Sequence, residues 1–310
     1  MVQDGMLRNK LELLYNMCYK EVEVIYMEYN YKQDMKAVRE ILMMTQAELA
    51  QALDVTQITI SRSEQGENVP SGDLMEKLYS FAFEQNIRLN RLKEMLWMED
   101  IETDHKLLFH GAKSQIEGEL SVRRGRSNND FGQGFYTGEN YEQAVSFVSA
   151  FERAGVYLLD FNAKGLHMKK YGVDQEWMMT IAYYRGRLDE YKDHPKVKEL
   201  VDSSRKCDYI IAPIADNRMF QIINSFIFGE ITDEQCKHCL AATNLGYQYV
   251  FISERSLKAL KLVERCYVSS NEKEYYKNVR VSEGKLGEDK VRLARVQYRG
   301  KGRYIDEILG

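Results

Sequence analysis

The sequence predicts an α+β protein in two parts, an all-α N-terminal domain followed by a larger domain built on a sheet. Residues 36–98 contain short, capped amphipathic helices. From residue 105 onward, short runs rich in β-branched and aromatic residues alternate with helical stretches. The polar, acidic segment EDIETDH separates the two patterns. The predicted division is a helical segment at 1–35, a helical domain at 36–98, an α+β domain at 99–269 and a basic tail at 270–310.

The composition is that of an ordinary globular protein. Of 310 residues, 44% are apolar and 29% charged. No apolar run approaches the roughly 20 residues that a membrane span needs, and the N-terminus lacks the layout of a signal peptide. We therefore expect a cytoplasmic protein. The net charge of −4 gives no general affinity for nucleic acid.

The five cysteines are scattered and odd in number, which favours reduced thiols over a disulfide framework. Cys236 and Cys239 form a CxxC pair. A zinc site would need a second pair of ligands at similar spacing, and the sequence offers none. We expect no metal and interpret the CxxC as one turn of a helix.

Two short capped helices follow one another in the N-terminal domain. Thr45 is the predicted N-cap of the first helix, and Glu48 three residues later completes a capping box. A tight turn at Leu53 and Asp54 leads to a second helix that begins at Thr56. Two helices joined by so few residues form a helix-turn-helix.

The stretch TQAELAQALDVTQITISRSEQG followed by PSGDLMEKLYSFA resembles the Xre/Cro/repressor family. In that family the second helix enters the major groove of DNA. Residues 36–98 carry seven basic and nine acidic residues, so a module of this charge binds phosphates weakly. DNA, an antitoxin protein and a second copy of the chain all remain candidate partners. The groove-facing candidates are Gln57, Thr59, Ser61 and Arg62.

The segment NNDFGQGFYTGENYEQA at 128–144 places three glycines around an aromatic pair. Glycine permits backbone angles and close approaches that a side chain forbids. The segment is consistent with a ligand lying against the backbone and also with a plain hairpin turn. Its glycines do not fit the GxGxxG pattern of dinucleotide-binding folds.

Three segments in a fixed order complete this picture. LLFHGAKSQIEGEL contains His110 and Gly111, FGQGFYTGENYEQAVSF contains Tyr136, and GYQYVFISERSLKAL contains Gln248. Together they resemble the catalytic domain of the poly(ADP-ribose) polymerase-like ADP-ribosyltransferases. They are most similar to a bacterial branch often linked to toxin–antitoxin or phage-defence systems. The resemblance covers about residues 105–269.

The resemblance implies a largely antiparallel split sheet with flanking helices and NAD as co-substrate. It implies that His110 and Gln248 hold ribose hydroxyls, that Gly111 holds the nicotinamide amide, and that Tyr136 and Phe147 enclose the nicotinamide ring. We expect His110, Tyr136 and Gln248 to converge on one cleft, from neighbouring strands and one face of the sheet. The implied NAD-binding residues are His110, Gly111, Ala112, Arg126, Asn128, Asp130, Phe131, Gly132, Gly134, Phe135, Tyr136, Thr137 and Phe147.

Gln248 departs from the eukaryotic polymerases, which have Glu at this position. An amide keeps the hydrogen bond to ribose but lacks the charge that stabilises a developing cation. Asp216 is a candidate base for the acceptor, and equally a candidate N-cap of the following helix. We expect a mono-ADP-ribosyltransferase that modifies nucleic acid or protein. The alternatives are a transcription regulator that senses NAD without turning it over, and an NAD glycohydrolase.

Overall fold

The computed structural model of the chain describes residues 28–243 and 246–310, apart from the side chains of residues 283–286. Residues 1–27 of the predicted helical segment at 1–35 therefore lie outside the described residues. The N-terminal helices are α1 Tyr31–Ile41, α2 Gln46–Ala52, α3 Gln57–Gln65, α4 Gly72–Glu84 and α5 Leu89–Asp100.

The helix-turn-helix is formed by α2 and α3, and its predicted caps are confirmed. The Thr45 hydroxyl accepts the backbone N–H of Glu48, and Glu48 accepts the backbone N–H of Thr45 at 2.7 Å. Asp54 adopts a φ of 53° in the turn, and Thr56 caps α3. Leu49 and Ile60 are fully buried where the two helices meet.

The C-terminal part contains a seven-stranded sheet in the order β4-β5-β6-β2-β1-β3-β7. Every neighbouring pair is antiparallel except β4 with β5. The predicted α+β class is thereby confirmed. The strands are β1 His105–Ala112, β2 Phe135–Gly138, β3 Gly155–Asn162, β4 Met168–Lys170, β5 Tyr209–Pro213, β6 Tyr247–Phe251 and β7 Leu260–Tyr267.

Helices flank the sheet, and none of those within 28–243 and 246–310 is long and apolar enough to cross a membrane. Short 3-10 helices occupy residues 122–124 and 189–191. The α-helices are α6 Tyr141–Val148, α7 Gln175–Tyr184, α8 Pro195–Arg205, α9 Asn217–Ile227, α10 Asp233–Ala241, α11 Glu254–Leu257, α12 Ser270–Gln297 and α13 Ile305–Leu309.

The sheet opens between β1 and β2. These strands are paired only at Phe109 and Gly138, whereas β1 pairs with β3 along its whole length from residue 105 to 112. One face of the sheet carries two separate apolar cores, one under α6 and one under α7 and α9. The opposite face carries a single core. A cleft therefore lies on the first face, between its two cores.

A cluster of buried ion pairs connects the helical domain to strand β7. Lys93 on α5 donates to Asp34 on α1 at 2.6 Å and to Glu264 on β7 at 3.0 Å. All three side chains are buried. Tyr79 on α4 also donates to Asp34. A buried charge is tolerated only when it is paired, so this cluster fixes the helical domain in one position on the sheet.

The segment predicted as a basic tail contains α12, a helix of 28 residues. It packs against α10, α4 and α6 and so touches both parts of the molecule. At its start, Glu272 accepts from Asn90 of α5 at 2.9 Å and from Tyr141 of α6 at 3.0 Å.

The CxxC pair lies in α10, as the sequence predicts. The buried Cys236 and Cys239 thiols lie 3.6 Å from the carbonyl oxygens of Ile222 and Val291 respectively.

Candidate functional site

A cavity of about 1450 Å³ begins where β1 and β2 separate. Its wall includes His110 from β1, Tyr136 from β2 and Gln248 from β6, which are neighbouring strands. The loop from residue 113 to 134 and helix α6 complete this part of the wall. The three ordered segments of the sequence therefore meet at one cavity.

The expectation that the three side chains share one face of the sheet is wrong for His110. Tyr136 pairs with Val250, which puts Tyr136 and Gln248 on the same face. His110 pairs with Tyr157 and belongs to the opposite face, where its ring stacks on Phe135. It reaches the same cavity because the sheet is open at this point. Its Nδ1 lies 2.7 Å from the backbone oxygen of Tyr136, across the gap between β1 and β2.

The hydrogen bond of His110 fixes its tautomer. A carbonyl oxygen only accepts, so Nδ1 carries the proton and the neutral ring presents Nε2 as an acceptor. Burial lowers the pKa of His110, although the Tyr136 carbonyl opposes this effect. The ring is therefore neutral at pH 7. A neutral Nε2 on the wall of a cavity suits a ligand hydroxyl group.

Tyr136 is held by the glycine loop that precedes it. Its hydroxyl donates to the backbone oxygen of Gly132 at 2.8 Å and accepts from the backbone N–H of Phe131 at 3.1 Å. Burial raises the pKa of Tyr136 above its usual range. The hydroxyl is thus structural, and the ring is what the side chain offers to a ligand. Phe147 on α6 also lines the cavity, with 48% of its surface exposed.

Gln248 is oriented by a buried carboxylate. Its Nε2 donates to Asp130 Oδ2 at 2.8 Å and to the Pro213 carbonyl at 3.2 Å. These two bonds use both amide hydrogens, so Oε1 remains as the acceptor of the side chain. Gln248 is 7% exposed and Asp130 is 5% exposed. The pair forms a rigid, largely desolvated part of the wall.

Arg185 neutralises Asp130. Its Nε donates to Asp130 Oδ1 at 2.9 Å, and a second guanidinium nitrogen bonds both this oxygen and the Ala215 carbonyl. The backbone N–H of Ala215 also donates to Asp130 at 3.2 Å. Arg185 could not be predicted from the sequence because it directly follows α7 and no motif surrounds it. Asp130, a predicted ligand-binding residue, lines the cavity, and its carboxylate accepts hydrogen bonds from Arg185, Ala215 and Gln248.

Two glycines of the loop are required by the packing of the protein itself. Gly132 has a φ of 73°, and a Cβ there would lie 2.9 Å from the ring of Tyr184. A Cβ at Gly134 would lie 2.9 Å from the backbone oxygen of Phe251. The loop is therefore neither a plain hairpin turn nor shaped only by a ligand. Its close packing places Asp130 and Tyr136.

Most of the predicted site residues line the cavity, and four do not. Asn128 is exposed, Phe131 is part of the core, and Gly132 supports Tyr136 from behind. The predicted residues that line the cavity are His110, Gly111, Ala112, Arg126, Asp130, Gly134, Phe135, Tyr136, Thr137, Phe147 and Gln248.

Asp216 is the fourth predicted site residue outside the cavity wall. It was considered both as a base for the acceptor and as the N-cap of the following helix. Asp216 Oδ1 accepts the backbone N–H groups of Arg218 and Met219, each at 2.9 Å, and so caps α9. The residue does not line the cavity. The N-cap role is confirmed, and the role as a base facing the cleft is wrong because the carboxylate is turned into the helix end.

Helix α3 presents part of its predicted surface to solvent. Gln57 and Arg62 are exposed, while Thr59 and Ser61 are half-buried. Thr59 shares a hydrogen bond with the cap residue Thr56 at 2.9 Å. Gln57 and Arg62 are therefore the stronger groove-facing candidates.

Comparison with known families agrees with this two-part structure. Residues 35–79 match the model of a family described as "Helix-turn-helix". Residues 107–262 match the model of a family described as "Protein of unknown function (DUF3990)". This second range contains His110, Tyr136 and Gln248. Comparisons with curated proteins and with solved structures found no match.

Proposed function

The chain belongs to the DUF3990 family, and we propose that it is an NAD-dependent mono-ADP-ribosyltransferase carrying a helix-turn-helix domain. The observation that carries the proposal is the meeting of His110, Tyr136 and Gln248 at one cavity in an opened antiparallel sheet. The same three positions carry the resemblance to poly(ADP-ribose) polymerase-like enzymes. The function we propose is that of a toxin or phage-defence effector whose acceptor is nucleic acid or protein.

The polar groups of the cavity suit the nicotinamide ribose. His110 Nε2 and Gln248 Oε1 are both acceptors, and no residue that the structure describes donates to either. A ribose offers hydroxyl donors to such a pair. Gly111 and Arg126 also line the cavity, and we propose that the Gly111 backbone holds the nicotinamide amide and that Arg126 pairs with the diphosphate.

The aromatic groups suit the nicotinamide ring. That ring is cationic until its bond to ribose breaks, and a cation is attracted to an aromatic face. Tyr136 and Phe147 both line the cavity. Once the bond breaks the ring is neutral, and the attraction weakens, which favours release of nicotinamide.

Asp130 compensates in part for the negative charge that Gln248 lacks in comparison with a glutamate at this position. An amide that donates to a carboxylate is polarised, and its oxygen becomes a stronger acceptor. Gln248 donates to Asp130 at 2.8 Å. We infer that Gln248 Oε1 holds the ribose hydroxyl and stabilises the positive charge that develops on ribose as nicotinamide leaves. An oxygen or nitrogen of the acceptor then forms a bond to the ribose carbon in place of the broken bond to nicotinamide, and the acceptor's proton is lost to water.

The test is release of nicotinamide from labelled NAD, with and without lysate of the native host. Wild type should release nicotinamide and label a macromolecule, and His110→Ala should lose most of both. His167→Ala is the matched control, because His167 is exposed and does not line the cavity. A wild-type protein that binds NAD but releases none, even with lysate, would replace the transferase by the NAD-sensing regulator.

The second candidate function is DNA binding by α3. The family match at 35–79 and the exposure of Gln57 and Arg62 support it. Because residues 36–98 are slightly acidic, we expect duplex binding by the full chain to be weak and strongly salt-dependent. Tight operator binding at physiological salt would show that this charge argument is wrong.

A further inference from the structure

The cavity is larger than one ligand requires. Small-molecule sites typically occupy about 300–1,000 Å³, and this cavity measures about 1450 Å³. Beyond the proposed NAD site it extends past α6 towards the helical domain, where Gly72 and Glu76 of α4 and Lys273 of α12 line it. A second molecule therefore has room to approach the site from this side.

The edge of this extension carries cations set beside aromatic rings. We name it the α6 rim and define it as Lys113, Phe147, Phe151, Arg153, Lys273 and Arg280. Lys113 lies 4.3 Å from the centre of the Phe151 ring, and Arg280 lies 5.5 Å from the centre of the Phe147 ring. Four of the six line the cavity itself: Lys113, Phe147, Arg153 and Lys273.

The charge of the α6 rim is positive although the protein is acidic overall. The rim has four basic residues, whereas Glu76 and Glu152 are two acidic residues that line the cavity close to Lys273. Lys273 donates to the backbone oxygen of Glu152 at 2.6 Å, and Arg280 to that of Ser146 at 3.2 Å. Both cations are thus positioned on or just after α6 by neutral carbonyl groups, and Glu76 and Glu152 offset part of the charge of Lys273.

From these positions we infer that the α6 rim binds single-stranded nucleic acid and leads it to the proposed NAD site as the acceptor. Cations that follow a groove pair with phosphates, and exposed rings or guanidinium planes stack with unpaired bases. A duplex hides its bases from such a surface. The part of this inference that concerns the acceptor rests on the proposed transferase function, whereas the binding itself does not.

The experiment measures binding of fluorescent 12-nucleotide RNA and DNA, single-stranded and duplex, to the full chain at 50–200 mM salt. Each phosphate neutralised on a single strand contributes about −0.7 to the slope of log affinity against log salt. Four cations therefore predict a slope of roughly −3 and a ~50-fold loss of affinity over this range. Single strands should bind more tightly than duplexes to this surface.

The test variant is Arg153→Glu with Arg280→Glu. It should weaken single-strand binding at least ~10-fold and halve the salt slope. The matched control, Lys258→Glu with Arg299→Glu, makes the same charge change at exposed positions away from the cavity. Equal weakening in the control, or no single-strand binding by wild type at 50 mM salt, would overturn the inference.

A separate arm identifies the acceptor. Labelled lysate is digested with nuclease or with protease, and the label should be removed by nuclease and depend on the α6 rim. Label on protein would overturn the acceptor role of the rim. Binding of single strands without any nicotinamide release would instead count against the proposed transferase function and leave the binding surface standing.

Discussion

Gln248 and Asp130 are joined by a hydrogen bond of 2.8 Å although 118 residues separate them in the chain. Asp130 lies in the glycine loop before β2, and Gln248 lies on β6. The bond turns the amide nitrogen inward and leaves the amide oxygen for a ligand. Arg185 balances the charge of Asp130, so the arrangement is electrostatically complete without a ligand.

We predict that Gln248→Glu alone impairs both stability and NAD binding. It would replace a donor by a second carboxylate beside Asp130, and two like charges at hydrogen-bonding distance repel. The expected loss of unfolding free energy is about 1–3 kcal/mol, the cost of an unsatisfied buried group. Urea denaturation and calorimetric titration with NAD measure the two effects.

The double variant Asp130→Asn with Gln248→Glu is the control for this prediction. It restores one amide and one carboxylate with their positions exchanged. Because Arg185 then lies beside an amide and the Pro213 carbonyl loses its donor, it should recover only part of the lost stability. Gln248→Ala, which removes the acceptor, should abolish most labelling. The loss of unfolding free energy in the double variant should be smaller than the sum of the losses in the two single variants. An equal loss would show that the hydrogen bond to Asp130 does not orient residue 248.

This interaction marks the limit of what the sequence could predict. The ordered motifs around His110, Tyr136 and Gln248 were enough to place the three at one cavity. From the sequence, Gln248→Glu is expected to keep or raise nicotinamide release, because a charge is added. The hydrogen bond to Asp130 leads us to expect the opposite result, and this contact is set by how the glycine loop packs on β6. No local pattern encodes such a contact.

The sequence predicted correctly those features that depend on residues close together in the chain. The capping box at Thr45 and the N-cap at Thr56 each depend on residues three apart in the chain, and both appear as predicted. The face occupied by His110 was predicted wrongly because the face depends on the register between neighbouring strands, which a short motif on each strand does not specify. The buried ion cluster at Lys93 joins segments far apart in the chain, and periodicity alone cannot reveal it.

Tyr136→Ala should weaken NAD binding by about 1–3 kcal/mol, through loss of contact area and of attraction between the ring and a cation. Tyr136→Phe is the matched control: it keeps the ring and removes the hydroxyl that bonds Gly132 and Phe131. The Tyr136→Phe variant should be less stable than wild type, but its folded molecules should keep most of their affinity for NAD. Calorimetric titration measures the affinity for NAD. An unchanged affinity in a folded Tyr136→Ala variant would contradict the stacking role of the ring.

Lys93→Met should destabilise the protein by about 3–5 kcal/mol, because it leaves Asp34 and Glu264 buried without their shared cation. The nearby carboxylates raise the pKa of Lys93, although burial alone lowers it, so the ammonium group is charged in the folded protein. Lys77→Met is the control. That lysine pairs with Asp73 at the surface, and its loss should change stability by less than about 0.5 kcal/mol. Similar losses in both variants would contradict the fastening role of the cluster.

The last prediction concerns pH and Glu272. Burial raises the pKa of Glu272 to about 7, although hydrogen bonds from Tyr141 and Asn90 favour the charged form. Between the unfolded value of 4.5 and about 7, the folded chain holds a proton here that the unfolded chain has lost. The contribution of Glu272 to stability is therefore fully present below pH 4.5 and falls as pH rises through 7.

Glu272→Gln replaces the carboxyl by a neutral group of the same shape, so this slope should vanish. The difference in unfolding free energy between Glu272→Gln and wild type should shift in favour of the variant from pH 5 to pH 8, by up to roughly 3 kcal/mol. Glu274→Gln, at an exposed position on the same helix, should run parallel to wild type. Urea denaturation at several pH values gives the three curves. A Glu272→Gln curve parallel to wild type would mean that the carboxyl junction between α5, α6 and α12 does not titrate in this range.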